Sequence, residues 1–127
     1  MGYTNYWERT EKPITQEFVD EVKRIIKESQ DLGISIFGIV TLDCIDINGD
    51  ADYDLDHESF VLDNESGSKF CKTARKPYDR TVKEILASAK AFGLVSEIHD
   101  DGEIEHKNDK QWLYDQYNKL TKRLMIW

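Results

Sequence analysis

The sequence predicts an α+β domain in which a mixed, mainly antiparallel sheet packs against three helices. Segments with apolar residues at helical spacing are bounded by cap and stop residues, and short runs of β-branched and aromatic residues lie between them. We expect a β-α-β start, then a meander of short strands, then α-β-(β)-α. With 127 residues, the chain should form one domain over residues 1–127 that buries a core without metals or disulfides.

Composition narrows the function classes. The net charge of -8 argues against general nucleic-acid binding, because neutralising a phosphate backbone requires a basic face. The cysteines, Cys44 and Cys71, lack the spacing of a metal site, and reduced thiols fit a cytoplasmic protein. No apolar run is long enough to span a membrane, and the N-terminus does not resemble a signal peptide. We therefore expect a cytoplasmic protein without a membrane partner.

The first strand is predicted from Gly2 to Arg9. Alternation divides its side chains between two faces, Tyr3, Asn5 and Trp7 against Thr4, Tyr6 and Glu8. Because both faces hold aromatic rings, we expect an interior strand, or one whose second face lines a pocket. An amphipathic helix should follow, capped by Thr15 and ended by Gly33. The β-branched run from Ile34 to Val40 then predicts a central strand that is covered on both faces.

An acidic segment over residues 43–58 comes next. Asn48-Gly49 is a strong hairpin signal, and a strand is predicted from His57 to Leu62, with His57 at an edge or lining a pocket. The EF-hand template fails for starts at Asp46 and at Asp50, because the required glycine and bidentate glutamate are missing. A looser magnesium or calcium site stays open, since alternate aspartates on a strand project to one side. The alternative interpretation is that the acidic segment forms a solvated loop.

A second helix is predicted from Pro77, which suits a first helical turn, to the stop at Gly93. Leu94 to Ile98 is predicted to form a strand. A turn at Asp100-Asp101-Gly102 could connect it to a short return strand, Glu103 to His106. A capping box at Asn108 opens a last helix. Its apolar end, Met125 to Trp127, suggests docking onto the domain or onto a second copy, so a homo-oligomer is possible.

The stretch from Phe70 to Asp79 holds the candidate ligand site. Three cations, Lys72, Arg75 and Lys76, precede the predicted helix start, where free backbone N–H groups and the helix dipole favour an anion. A phosphate could meet a guanidinium fork and ammonium groups there. Flanking aromatic residues, Phe70 and Tyr78, could stack on a base. The alternative is that the cations form a solvated rim and the aromatic residues belong to the core.

Two motifs, Gly2-Tyr3-Thr4-Asn5-Tyr6-Trp7 and Phe70-Cys71-Lys72-Thr73-Ala74-Arg75-Lys76-Pro77-Tyr78-Asp79, resemble those of a family of small phage and bacterial proteins. The segments Gly49-Asp50-Ala51-Asp52 and Asp56-His57-Glu58-Ser59-Phe60 fit it as well. The family often has histidine at the position of Asn5. The resemblance implies a phage or mobile-element setting inside a bacterial host cell. Small phage proteins often counter host defence, some by sequestering the nucleotide signals that defence systems make.

Three functional hypotheses follow from these residues. The first is a non-enzymatic protein that binds a phosphorylated small molecule, in particular a nucleotide, through Tyr3, Tyr6, Trp7, His57, Phe70, Lys72, Thr73, Arg75, Lys76 and Tyr78. The second is a metal-assisted phosphoester hydrolase that uses carboxylates of the acidic segment, Asp50, Asp52, Asp54, Asp56 and Glu58. The third is a protein-interaction module that inhibits a host protein through its acidic loop and apolar C-terminus.

Overall fold

The computed structural model describes residues 3–101. The elements are β1 (Thr4–Arg9), α1 (Gln16–Asp31), β2 (Phe37–Val40), β3 (Cys44–Asn48), a 3-10 helix (Ala51–Tyr53), β4 (Phe60–Asp63), β5 (Gly67–Lys72), α2 (Tyr78–Ala91) and β6 (Val95–Asp100). This confirms the α+β class and the predicted order of strands and helices. The predicted return strand from Glu103, the third helix from Asn108 and the apolar end at Met125 to Trp127 lie outside the described residues.

The strands form two sheets rather than the single mixed sheet that was predicted. Their orders are β5-β1-β6 and β2-β3-β4, and every pair is antiparallel. Three residues link β4 to β5, yet these two strands belong to different sheets. Gly67 begins β5 with φ 119, a backbone conformation that L side chains rarely adopt. The chain therefore changes sheet at a point that an alternating pattern does not reveal.

The strand β1 is the central strand of the β5-β1-β6 sheet, which confirms the interior position predicted for it. On its inner face, towards α2, Asn5 lies between Cys71 and Asp100 in the strand register. On its outer face, Tyr6 lies between Phe70 and His99. These two sides are the inner face and the outer face of the β5-β1-β6 sheet.

The prediction of a central strand from Ile34 to Val40 is wrong. The strand β2 covers only Phe37–Val40 and lies at the edge of its sheet, paired with β3. Phe37 and Ile39 are each 59% exposed, so their face is not covered by the described residues. Gly38 contacts the carbonyl group of Asp46 so closely that a Cβ there would collide with it. A continuous apolar run resembles a covered strand even where, as here, the described residues leave one face uncovered.

The predicted two-residue hairpin at Asn48-Gly49 is also wrong. The strand β3 ends at Asn48, but β4 begins only at Phe60, and a 3-10 helix lies between them. The Asn48 side chain closes this wider loop by donating to the carbonyl oxygen of His57 at 2.9 Å and accepting from its N–H at 3.1 Å. Gly49 is buried against the carbonyl of Leu55, where a side chain would not fit. His57 therefore lies in the loop and not on the predicted strand.

The helix boundaries confirm the predicted cap and stop residues. The Thr15 hydroxyl accepts a hydrogen bond from the backbone N–H of Phe18 at 3.3 Å, and Pro77 directly precedes α2. Gly33 and Gly93 follow the two helices with φ of 88 and 80, the left-handed conformation that ends a helix most easily with glycine. Neither described helix combines the length and apolar character needed to cross a membrane.

One hydrophobic core joins the two sheets and the two helices. The rings of Trp7 in β1 and Phe60 in β4 lie 5.1 Å apart, so the sheets meet through aromatic contact. Phe18 of α1 and Phe92, just after α2, make an edge-to-face pair at 5.5 Å. These contacts hold α2 against the inner face, where a polar cluster replaces the apolar packing at one end.

Candidate functional site

The two motif segments meet in space. The backbone carbonyl oxygen of Tyr3, just before β1, accepts hydrogen bonds from the N–H groups of Thr73 at 2.9 Å and Ala74 at 3.4 Å. The loop 73–77, between β5 and α2, is therefore fixed to the start of the central strand. Because β1 pairs with β5 over its whole length, this contact follows directly from the strand register.

Lys83 of α2 lies at the centre of a buried polar network, with only 3% of its side chain exposed. Its ammonium group donates to the Tyr3 hydroxyl at 2.6 Å, to Asn5 Oδ1 at 2.7 Å and to Asp100 Oδ2 at 3.2 Å. The Asp79 carboxylate lies 3.6 Å away. An ammonium group has three N–H donors, and three acceptors meet them here.

Asp79 connects this network to the loop. Its Oδ1 accepts from Asn5 Nδ2 and from the Thr73 hydroxyl, both at 2.6 Å. Thr73 was predicted to hydrogen-bond a ligand, but it is fully buried and its hydroxyl proton is used by Asp79. The amide of Asn5 therefore bridges Asp79 and Lys83, accepting from one side and donating to the other.

The network is suited to positioning rather than to proton transfer. All three Lys83 donors face acceptors within 3.2 Å, and Asn5 uses both ends of its amide. Satisfied buried networks rigidify the elements that supply them, whereas a half-satisfied one would be costly. We conclude that the network fixes the loop 73–77, the start of β1 and the first turns of α2 in one arrangement.

The loop above the network is held in a strained conformation. Ala74 and Arg75 have φ of 51 and 57, a left-handed region that is uncommon for residues other than glycine. Such strain persists where surrounding contacts determine the backbone, and it often accompanies functional sites. The Arg75 guanidinium lies 4.0 Å from the centre of the Tyr3 ring, within cation–π range. The loop thus presents an exposed arginine over a buried tyrosine.

The three predicted cations differ in their surroundings. Lys72 and Arg75 are exposed, and Lys72 is the last residue of β5. The Lys76 ammonium donates to the carbonyl oxygen of Asp54 at 2.7 Å and lies 3.6 Å from its carboxylate. Lys76 therefore anchors the acidic loop against the candidate site.

The predicted stacking residues separate into two sets. Trp7 and Tyr78 belong to the hydrophobic core, and the Tyr78 hydroxyl donates to the carbonyl oxygen of Glu58 at 2.6 Å. Burial raises the pKa of Tyr78, and nearby Cys71 and Asp79 add to the shift. Phe70 and Tyr6 instead lie exposed on the outer face with ring centroids 6.5 Å apart. Phe70 and Tyr78 therefore do not form the shared stacking face for a base that was expected of them, because they occupy different sides of the sheet.

A cleft of ≈ 440 Å³ lies along the outer face. It is lined by both exposed rings, by the largely buried Trp7 and by the polar residues beside them: Tyr6, Phe70, Trp7, His99, Glu8, Ser68, Lys69 and Glu97. His57 does not line it. His57 is exposed in the loop before Glu58, whose carboxylate accepts from the Lys72 N–H at 2.9 Å.

The acidic segment shows no cation site in the part of the chain that the structure describes. Residues 3–101 contain no group of three or more His, Cys, Asp or Glu side chains arranged to hold a metal ion. Asp50 accepts from the N–H of Asp52 at the start of the 3-10 helix, and Asp54 contacts Lys76. These contacts account for two of the carboxylates as loop-forming groups.

The comparisons with known proteins add no family. The chain matches no protein-family model, no curated protein and no solved structure. The resemblance to small phage and bacterial proteins therefore stays a prediction from the motif residues.

Sequence reasoning missed Lys83, Asp100 and the role of Asn5. A signal was present, because Asp79 and Lys83 are four residues apart on a helix and so lie on one face. Leu86 and Ala87, three and four residues after Lys83 and so on the same side of the helix, are apolar. A lysine and a carboxylate bordering an apolar face indicate a buried pair, and alternation in β1 points Asn5 towards it.

Proposed function

We propose that the protein binds a phosphorylated small molecule, in particular a nucleotide, at Lys72 and the loop 73–77 that follows it. The observation that carries the proposal is the conformation of Arg75, held at positive φ above Tyr3 by a buried network that does no other evident chemistry. Stacking on Tyr3 uses the flat face of the guanidinium, whereas carboxylate and phosphate groups are recognised at its edges. Lys72, three residues earlier in the chain, is a second exposed cation.

The network supports this role through preorganisation. A loop that is already ordered loses little conformational entropy when it binds, so more of the interaction energy appears as affinity. Strain at Ala74 and Arg75 is consistent with a loop whose shape serves a ligand. The saturated Lys83 ammonium supplies no free proton for catalysis, so we propose binding without turnover. In the phage setting that the motifs imply, this protein would sequester a nucleotide signal as a counter-defence factor in the host cytoplasm.

The test is the affinity of Arg75→Ala for nucleotides. A thermal-shift panel of linear and cyclic nucleotides first identifies the best ligand, since a ligand at about 100 times its Kd adds roughly 2.7 kcal/mol of stability. Titration calorimetry should then show that Arg75→Ala weakens binding of that ligand by roughly 1.5–3 kcal/mol, because a charge-assisted pair is lost. Arg75→Lys should fall between the two, because it keeps the charge without the planar fork.

Lys27→Ala is the matched control, because Lys27 is an exposed cation on α1. An Arg75→Ala variant that keeps the affinity of the original protein would refute the assignment. Chromatography of the ligand after heat denaturation tests the alternatives. Ligand cleaved only when a divalent metal is present would favour the hydrolase hypothesis. No shift with any nucleotide would favour the interaction module, for which the exposed apolar side chains of β2, Phe37 and Ile39, are the leading surface.

A further inference from the structure

The outer face carries an aromatic row across all three strands of its sheet. Tyr6 is at the centre, with Phe70 on one side and His99 on the other. The Tyr6 and Phe70 side chains are 41% and 59% exposed, and their rings are tilted by 43°. Large exposed aromatic side chains in one row, above a cleft of ≈ 440 Å³, form a surface on which a flat ring can stack.

The two rows beside the aromatic row differ in charge. One contains Ser68, Glu8 and Glu97, and the Ser68 hydroxyl donates to the Glu8 carboxylate at 2.7 Å. Ionised carboxylates only accept hydrogen bonds, so a ligand at this end must bring N–H donors. Lys69 also lines the cleft, but its ammonium group lies 3.6 Å from the Glu65 carboxylate, so Glu8 and Glu97 still disfavour a phosphate at this end.

The other row contains Lys72 and Thr4. Two carboxylates lie at this end as well, since Asp101 accepts from the Thr4 N–H and Glu58 accepts from the Lys72 N–H, both at 2.9 Å. Lys72 leads directly into the loop that holds Arg75. What distinguishes this end is therefore the exposed ammonium group of Lys72 and the loop that follows it.

We infer that the outer face binds the base of a purine nucleotide, stacked on Tyr6 and Phe70, with its amino-bearing edge towards Glu8 and Glu97. This deepens the proposed function and rests on it for the phosphate, which would lie towards Lys72 and the loop 73–77. Neighbouring rows on one face are two residues apart, about 7 Å, so base and phosphate fall on successive rows. Guanine fits best, because its N1–H and N2–H groups are adjacent donors for one carboxylate.

The charge pattern also sets the class of ligand. Uracil carries no amino group for the acidic row, and its single ring covers less of the aromatic row. A polynucleotide would bring phosphates past the acidic row of a protein whose net charge is already -8. A mononucleotide or a short nucleotide signal matches both ends.

The experiment compares GMP, IMP, UMP and ribose 5-phosphate by titration calorimetry. GMP should bind more tightly than IMP, which lacks the 2-amino group, and more tightly than UMP. In the double variant Tyr6→Ala/Phe70→Ala, the Kd of GMP should rise about tenfold or more, because base–aromatic stacking is lost. The Kd of ribose 5-phosphate should not change. Phe37→Ala is the control, because Phe37 is equally exposed on the other sheet.

The variant Glu8→Gln tests the base edge without altering size. It should reduce the preference for GMP over IMP while leaving the thermal stability unchanged, so it reports on recognition even if the double variant folds poorly. Equal binding of GMP and ribose 5-phosphate, unaffected by the double variant, would overturn the inference and leave the phosphate site standing. If guanosine without phosphate still needs Tyr6 and Phe70 while Arg75→Ala has no effect on GMP, the phosphate site fails and the stacking surface stands. No binding of any of these compounds would overturn both.

Discussion

The inner and outer faces of the β5-β1-β6 sheet carry opposite kinds of contact, although the same three strands supply both. On the inner face, Asn5 is fully buried and uses both ends of its amide within the protein. On the outer face, the adjacent Tyr6 is 41% exposed and contacts Phe70. The difference arises from the two-residue period of a strand alone.

Each of the two motif segments contributes residues to both faces of the sheet. In the N-terminal segment, Tyr3 and Asn5 build the network that fixes the loop of Arg75, whereas Tyr6 faces solvent. In the central segment, Thr73 and Asp79 belong to the network, whereas Phe70 and Lys72 lie on the outer face. Changes to inner residues should therefore alter stability, and changes to outer residues should alter binding.

The largest effect is expected for Lys83→Met. The variant removes the buried ammonium group from the carboxylates of Asp79 and Asp100, and removing one partner of a buried ion pair typically costs about 3–5 kcal/mol. The free energy of unfolding, measured with urea, should fall by that amount. Lys90→Met, at an exposed position on the same helix, should change it by less than about 1 kcal/mol. Equal effects of the two variants would contradict the central role of the network.

A smaller effect, of opposite sign, is expected for Ala74→Gly. Glycine adopts the left-handed conformation without the penalty that an L side chain meets, so the free energy of unfolding should rise by roughly 0.5–1 kcal/mol. The affinity for the nucleotide should nevertheless weaken, because the loop gains freedom before binding. Ala87→Gly, within α2, should instead destabilise by at least about 1 kcal/mol. A destabilised Ala74→Gly would show that the loop is not strained.

The smallest effect is expected from ionisation of the Cys71 thiol on the inner face, which should lower the free energy of unfolding at mildly alkaline pH. Burial, with nearby Glu58 and Asp79, raises the pKa of its thiol to about 12 from 9.0. The unfolded chain therefore loses this proton first, so the stabilisation is complete below pH 9 and decreases as the pH rises towards 12. Urea titrations at increasing pH should show this decline, and it should be shallower in Cys71→Ala. Identical pH profiles for the original protein and Cys71→Ala would exclude the thiol as the source of the decline.

Much of the fold could be predicted from local patterns. Thr15, Gly33, Pro77 and Gly93 act locally at helix ends, and the interior position of β1 followed from aromatic residues on both of its faces. The division into two sheets could not be predicted, because strand pairing depends on contacts between distant residues. The prediction of a covered strand from Ile34 to Val40 was wrong for the same reason, since periodicity does not show whether anything packs on a face.

The site was predicted in outline only. The motif from Phe70 to Asp79 does form the loop with Arg75, but the partners of that loop come from β1, α2 and β6. Trp7 and Tyr78 were expected to meet a ligand because aromatic residues near cations suggest stacking. Their burial depends on how the two sheets pack, which no local pattern encodes.

The central place of β1 also sets an order of assembly. Its partner strands follow it late in the chain, and the contact between Thr4 and Asp101 joins residues 97 apart. The β2-β3-β4 sheet, in contrast, pairs strands that are close in sequence and can close early. On the ribosome, the first strand made must remain unpaired until β5 has emerged, and the network beneath the loop 73–77 is complete only once Asp100 of β6 has followed.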